Sequence, residues 1–189
     1  MPYFPAFLNL HAKQILIIGG GVIAYNKLLQ LLEFTKNIDI IAQELCDDIL
    51  ELAEQESLSY QQRAYRDGDI KEYDFVIIAI DDIALAKEIY EESKECRCLC
   101  NSVDSVEYSD FTFASFIKQG DLTLAISTNG TSPAFAKQFK IYLESIIPKD
   151  VGEFLQEMKE LRATLPKGNE RMNMLKSKAK NYIKLWRKK

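Results

Sequence analysis

The chain has 189 residues, 47% hydrophobic and 28% charged, with a net charge of −4. That balance supports a folded core of ordinary domain size and excludes a disordered, highly charged chain. No apolar run reaches the roughly 18 residues of a bilayer span, and MPYFPAFLNLHAK lacks a basic region followed by a long apolar segment, so a cytoplasmic chain with no membrane partner is expected.

Gln14 to Ile18 reads as a continuous apolar strand, and after three glycines Ala24, Leu28, Leu31 and Leu32 fall on one face of a helix. A second β-branched run, Ile38 to Ile41, follows the break at Thr35-Lys36-Asn37 and leads into a helical pattern through Ile49, Leu52 and Ala53. A short strand is expected at Leu58 to Tyr60, a buried strand at Phe75 to Ile80, a helix at Ala84 to Ser93 and a strand at Cys98 to Val103. Strands alternating with helices specify an α/β fold, a Rossmann-type parallel sheet covered on both faces. In ECRCLCN the spacing of Cys96, Cys98 and Cys100 places all three on one face of that last strand, as reduced, buried side chains. With His11 the only histidine, the cysteines form no standard zinc pattern, and no metal site is expected.

After Asp104 the pattern changes. Phe111 to Ile117 and Leu122 to Ser127 are β-rich runs joined by Lys118-Gln119-Gly120-Asp121, a hairpin signal. Ser132-Pro133 opens a helix with Phe135, Phe139, Tyr142, Leu143 and Ile146 as its stripe, and Pro148 stops it. Asp150 and Glu153 resemble a capping box for a helix carrying Val151, Phe154, Leu155, Met158, Leu161 and Leu165; Asn169 is expected to cap a last helix. The expected organisation is a nucleotide-binding domain over 1–110, a small α+β dimerisation region over 111–147 and a C-terminal helical region over 148–189. From Lys159 to Lys189 eleven Lys and Arg face only Glu160 and Glu170, a local charge of +9, read as a solvated helix face. Aromatic interleaving is confined to Tyr182 and Trp186, so nucleic acid is not an expected partner.

Gly19, Gly21 and Ala24 form G-x-G-x-x-A. The first glycine permits a tight turn, the second lets a pyrophosphate approach the backbone, and the small third residue lets helix and strand pack closely. The phosphates would meet the N-terminus of a helix starting near Val22 and Ile23. About 20 residues on, the place of the ribose-binding acid holds Ala42-Gln43-Glu44; Glu44 either accepts the ribose hydroxyls, favouring NAD over NADP, or opens the next helix. Three further clusters end strands at their carboxyl side: Asp81 with Asp82, which also suits a helix cap; Asn101 to Asp104; and Ser127, Thr128, Asn129, Gly130, Thr131 and Ser132, followed by Lys137 and Lys140. Asp104 is a candidate base beside the expected nicotinamide position. Asn129 and Gly130 tolerate positive φ, and the surrounding hydroxyl and N–H groups suit carboxylates.

In this order, PYFPAFLNL, ILIIGGGVIAYNK, AIDD, NSVD and STNGTSP resemble the precorrin-2 dehydrogenase family of the siroheme synthase N-terminal type. The resemblance runs to about residue 147 and more loosely over the tail. It implies NAD-dependent oxidation of precorrin-2, a multiply carboxylated tetrapyrrole, to sirohydrochlorin; some members also insert ferrous iron to give siroheme. It further implies cofactor contacts at Gly21, Val22 and Ile23, with Gln43 and Glu44 near the ribose, a catalytic Asp104, a site shaped by Asn101, and Ser127 to Ser132 with Lys137 facing the substrate. The family architecture, a Rossmann domain, a dimerisation region and a helical region, implies a homodimer. The sequence departs from the family pattern at Asn26, Ile80, Ser102, Val106, Ala114 and Asn129. The alternative reading is a non-catalytic NAD-sensing Rossmann regulator whose basic tail contacts a partner, for which Asp104 and STNGTSP would have no use.

Overall fold

Apolar runs with no polar alternation must be covered on both faces, and the computed structural model, which describes residues 3–186, places them at the centre of a six-stranded sheet. The chain divides into two units, Tyr3–Thr112 and the remainder from Phe113. The first runs β1 (Ile15–Ile18), α1 (Val22–Leu32), β2 (Ile38–Ala42), α2 (Asp47–Glu56), β3 (Ser59–Gln62), β4 (Phe75–Ile78), α3 (Ile83–Cys96), β5 (Leu99–Ser102) and β6 (Ser105–Ser109). Strand order is β3-β2-β1-β4-β5-β6, and the first five strands are parallel. Ile18 pairs with Ile41 and Ile78, and Ile78 with Ser102, so the strands end at one level and their following loops share one edge. One face of the core joins Leu16, Ile18, Val76 and Ile78 to Ala86 and Ile89 of α3, with Ile70 from the β3–β4 connection.

Two expectations change at β5. The strand ends at Ser102, and Asp104 lies in a two-residue turn into an antiparallel edge strand, β6, that hydrophobic patterning does not reveal. Polar groups hold that edge: the Asp110 carboxylate accepts from the Cys100 N–H at 2.9 Å and pairs with Lys94, while the Ser109 hydroxyl bridges Ser102 N–H at 3.0 Å and the Ser105 carbonyl at 2.7 Å. Cys96 does not share a strand face with Cys98 and Cys100, because α3 extends to Cys96 and closes on Arg97 in the left-handed region. Cys98 and Cys100 are buried, and burial pushes both thiols up to about 12.

The second unit contains β7 (Ser115–Gln119) hairpinned to β8 (Leu122–Ile126), then α4 (Pro133–Ile146), α5 (Val151–Thr164) and α6 (Asn169–Trp186). β7 starts later than the expected Phe111. Gly120 turns the hairpin at φ +58°, with its backbone so close to Gly152 that an added Cβ would lie 2.9 Å from the Gly152 Cα. Ile117, Ile147 and Val151 form the buried core, supported by Leu124, Leu155 and Trp186. The expected capping box at Asp150 does not form: its carboxylate accepts from the Tyr182 hydroxyl at 2.9 Å, tying α5 to α6 beside the Phe154–Tyr182 ring stack. Asn169 is the first residue of α6 itself, one position inside its expected capping place. Pro2 of the PYFPAFLNL stretch and residues 187–189 of the basic tail lie outside the described residues. Among the described residues no helix is long and apolar enough to cross a membrane.

Candidate functional site

The loop after β1 is shaped by contacts that differ at each glycine. Gly19 has φ +125°, and a Cβ there would sit 2.1 Å from the Ala79 carbonyl oxygen. At Gly20 a Cβ would meet the Glu44 carbonyl oxygen at 1.9 Å, a constraint the G-x-G-x-x-A spacing does not announce. Around Gly21 the space is open, with nothing within 4 Å of a Cβ position. The backbone is pinned from both sides: Gly19 N–H donates to the Ile41 carbonyl at 2.9 Å and Cys46 N–H to the Gly20 carbonyl at 2.8 Å. Gly21 is then the N-cap of α1, which has no side-chain cap and no acidic residue in its first turn. Its leading N–H groups have no intrahelical acceptors and form the positive end of the helix. Val22 and Ile23, 66% and 41% exposed, flank this opening, and Ala24 is fully buried against the sheet. An open cradle at Gly21 beside an uncapped helix start fits a dinucleotide pyrophosphate.

The same edge carries the other candidates of this unit. Gln43 and Glu44 are exposed in the β2–α2 loop, and Glu44 does not open the helix, which starts at Asp47 with Cys46 as its cap. After β4, Asp82 is the cap of α3, accepting from Leu85 N–H at 3.0 Å, which leaves Asp81 exposed at the rim. Asn101 is buried; its amide N–H donates to the Phe111 carbonyl at 2.8 Å while its Oδ1 is buried without a hydrogen-bond partner. Asp104 is exposed in the β5–β6 turn, and its carboxylate is the charge acting on the ammonium of Lys27, a half-buried side chain of α1. Burial lowers the Lys27 pKa, and Asp104 partly restores it. Lys27 is a residue that sequence reasoning left out of the site, although it closes the ILIIGGGVIAYNK stretch.

In the second unit, Ser127 to Ser132 form the tight β8–α4 loop. Ser127 Oγ accepts from Asn129 N–H at 3.1 Å, Thr128 Oγ1 from Ser132 N–H at 3.1 Å and Ser132 Oγ from Phe135 N–H at 3.2 Å. Asn129 and Gly130 adopt φ of +51° and +79°. The oxygens shape the loop, leaving hydroxyl protons as donors to an acceptor from outside. Thr131 is exposed, and Lys137 is exposed on α4; Lys140 pairs with Glu144 at 3.7 Å. Among the described residues no group of three or more His, Cys, Asp or Glu side chains is placed to hold a metal ion.

A family model described as putative NAD(P)-binding matches residues 6–115, and one described as sirohaem biosynthesis protein central matches residues 119–145. The siroheme synthase of Nitrosococcus oceani is 31% identical over 156 residues, and siroheme synthase 1 of Serratia proteamaculans 32%. Each match covers 82% of this chain, and the chain spans about a third, 33%, of the length of these curated relatives. A solved structure titled SirC, precorrin-2 dehydrogenase, shares the fold with a TM-score of 0.80 at 22% identity, covering 99% of this chain and 100% of that one. With the first family model spanning more than half of the sequence, the chain belongs to the putative NAD(P)-binding family.

Proposed function

We propose that the protein is an NAD-dependent precorrin-2 dehydrogenase that forms sirohydrochlorin in siroheme biosynthesis. The observation that carries this reading is the placing of the open Gly21 cradle and the Asp104 carboxylate on one edge of one sheet. Gly19, Gly21, Val22 and Ile23 would hold the pyrophosphate, Gln43 and Glu44 the adenosine ribose, and Asp81 the rim. An acidic Glu44 disfavours a 2′-phosphate, which supports NAD over NADP. Bound NAD supplies a hydride acceptor. Asp104 accepts the proton that the macrocycle must lose with the hydride, and its exposure gives that proton a route to solvent. Asn101 shapes the site through its unpaired Oδ1. The hydroxyl and N–H donors of Ser127, Thr128, Asn129, Gly130, Thr131 and Ser132, with Lys137, are matched to substrate carboxylates.

Anaerobic incubation with precorrin-2 and NAD tests this, following NADH and the tetrapyrrole spectrum. We expect NAD-dependent sirohydrochlorin formation that falls at least about 100-fold in Asp104→Asn; absence of turnover by folded protein that binds NAD would overturn the reading and favour a cofactor-sensing role. Ferrous iron enters as a substrate only, with Asp104 as acceptor for the displaced macrocycle protons, and its addition to the assay tests siroheme formation as a second activity.

We further propose a homodimer. Phe135, Phe139, Tyr142 and Ile146 are exposed on one face of α4, with Phe135, Phe139 and Tyr142 stacked in series, and this apolar face is the one a second copy would cover.

A further inference from the structure

Alternate N–H groups of β5 face opposite neighbours. Those of Leu99 and Val103 donate toward β4, to the Asp74 and Ile78 carbonyls at 2.9 and 3.0 Å. Those of Cys100 and Ser102 point to the β6 edge, where an ordinary ladder offers backbone carbonyls. Here side chains accept instead, the Asp110 carboxylate at 2.9 Å and the Ser109 hydroxyl at 3.0 Å. The cause is the register. Asn101 pairs with Ser109 and Ser102 with Ser105, so one step along β5 is matched by four along β6, and Val106, Glu107 and Tyr108 fall outside the ladder.

The Ser109 hydroxyl closes that gap. Its Oγ accepts from the Ser102 N–H, and its single proton reaches the Ser105 carbonyl at 2.7 Å, with the Ser102 carbonyl a second acceptor at 3.1 Å. Ser102 and Ser105 stand on either side of Val103-Asp104, so one hydroxyl ties together both ends of the turn that presents Asp104. The Val103 N–H bond to Ile78 fixes the same turn to β4. Ser102 is buried, so its N–H is left without water if the hydroxyl is lost. Asp104 is exposed, and the backbone of this turn sets where its carboxylate stands.

We propose that Ser109 is a positioning residue for Asp104: its hydroxyl clasps the two ends of the β5–β6 turn and holds the carboxylate where the macrocycle proton is taken. This rests on the dehydrogenase reading above. In the step, the C–H bond of precorrin-2 that breaks gives its electron pair and hydrogen to the nicotinamide as hydride. A proton leaves the macrocycle for an Asp104 oxygen and then for solvent. Ser109 exchanges no proton with the substrate, and its contribution is the placing of the accepting oxygen.

Two measurements test the clasp and its role separately. The first needs no turnover: amide hydrogen exchange at Ser102, followed by NMR, in Ser109→Thr and Ser109→Val, a pair of equal shape of which only the threonine keeps the hydroxyl. Exchange at Ser102 should be at least about 10-fold faster in the valine variant than in the threonine one; equal rates overturn the clasp. Should valine crowd the edge and unfold the chain, Ser109→Ala takes its place. The second measurement is kinetic. Ser109→Ala should lower kcat roughly 10- to 100-fold while NAD affinity and the KM for precorrin-2 hold, and Ser109→Thr should restore most of it. Asp110→Ala removes the other acceptor on this edge but leaves the clasp, so it should lower the melting temperature and keep most of kcat. Unchanged kcat in Ser109→Ala, or an equal loss in Asp110→Ala, overturns the positioning role, the latter assigning the effect to a general loosening of β6. If wild-type protein does not turn over, the dehydrogenase reading falls and the positioning role with it, while the exchange rates still decide the clasp.

Discussion

Gly19 and Gly21 share a motif but answer to different physics, and alanine separates them. At Gly19 a methyl group would overlap the Ala79 carbonyl and the residue would have to hold φ +125°, so Gly19→Ala should cost about 3 kcal/mol of stability, measured by urea denaturation. Gly21 has extended backbone and open space, so Gly21→Ala should cost under about 1 kcal/mol. Its effect belongs to the ligand: the methyl fills the cradle, and NADH affinity, followed by fluorescence titration, should fall about 10-fold or more. Equal stability losses in both variants would mean that the loop is only a structural turn. The thiols give a second prediction at this scale. With burial holding Cys98 and Cys100 up to about 12, their thiolate fraction at pH 8 is about one part in ten thousand. An aromatic disulfide reagent should therefore modify the partly exposed Cys46 and Cys96 in the native protein, and Cys98 and Cys100 only after denaturation. Fast reaction of all four would contradict the packing of β5.

At the scale of elements, the long β3–β4 connection is organised by two carboxylates, Asp69 within it and Glu92 of α3. Asp69 takes two hydrogen bonds from the Arg63 guanidinium, at 2.5 and 2.9 Å, and a third from Arg66 N–H at 2.8 Å. Glu92 of α3 anchors the same connection through the Tyr65 hydroxyl and the Gly68 N–H. Burial pushes the Asp69 carboxyl up, but the arginines and the backbone donor outweigh it and hold the pKa below its ordinary value. A depressed carboxylate stabilises the fold above the unfolded-state pKa, and that stability is lost as pH falls through the folded one. Asp69→Asn should consequently lower the urea midpoint at pH 7, and the gap to wild type should close as pH falls below the ordinary carboxylate range; a gap independent of pH would rule out the charge as its cause. None of this network is legible in sequence, since Arg63, Asp69 and Glu92 read as ordinary surface charges. The parallel strands are legible because strands buried on both faces need uninterrupted apolar runs. β6 is not, because SVEYS is a polar edge strand held by Ser109, Asp110 and Lys94. The glycine loop follows from spacing alone, whereas Gly20 matters through a neighbour distant in sequence, the Glu44 carbonyl. Asp150 satisfies a local capping rule, yet the Tyr182 hydroxyl claims it from α6.

For the whole molecule the decisive feature is what α4 leaves uncovered. Its one buried residue is Ala136, while Phe135 and Tyr142 remain 59% and 58% exposed and Phe139 and Ile146 of the same face are also open. Stacked aromatics on a water-facing helix lose the area that burial would reward, and a self-complementary helix face closes naturally around a two-fold axis. A solvated helix would carry charges at these positions; the charges of α4 are instead Lys137, Lys140 and Glu144, with Lys140 and Glu144 paired to each other along its side. We therefore expect the chain to sediment as a dimer at micromolar concentration. The double variant Phe135→Glu/Tyr142→Glu places two carboxylates in the middle of the face and should weaken association at least about 100-fold, with the melting transition of the first unit preserved. Conservative Phe135→Leu should keep the dimer. If wild-type protein sediments as a monomer, the α4 face is covered by something other than a second copy. If the glutamate variant stays dimeric, the contact lies elsewhere on the chain.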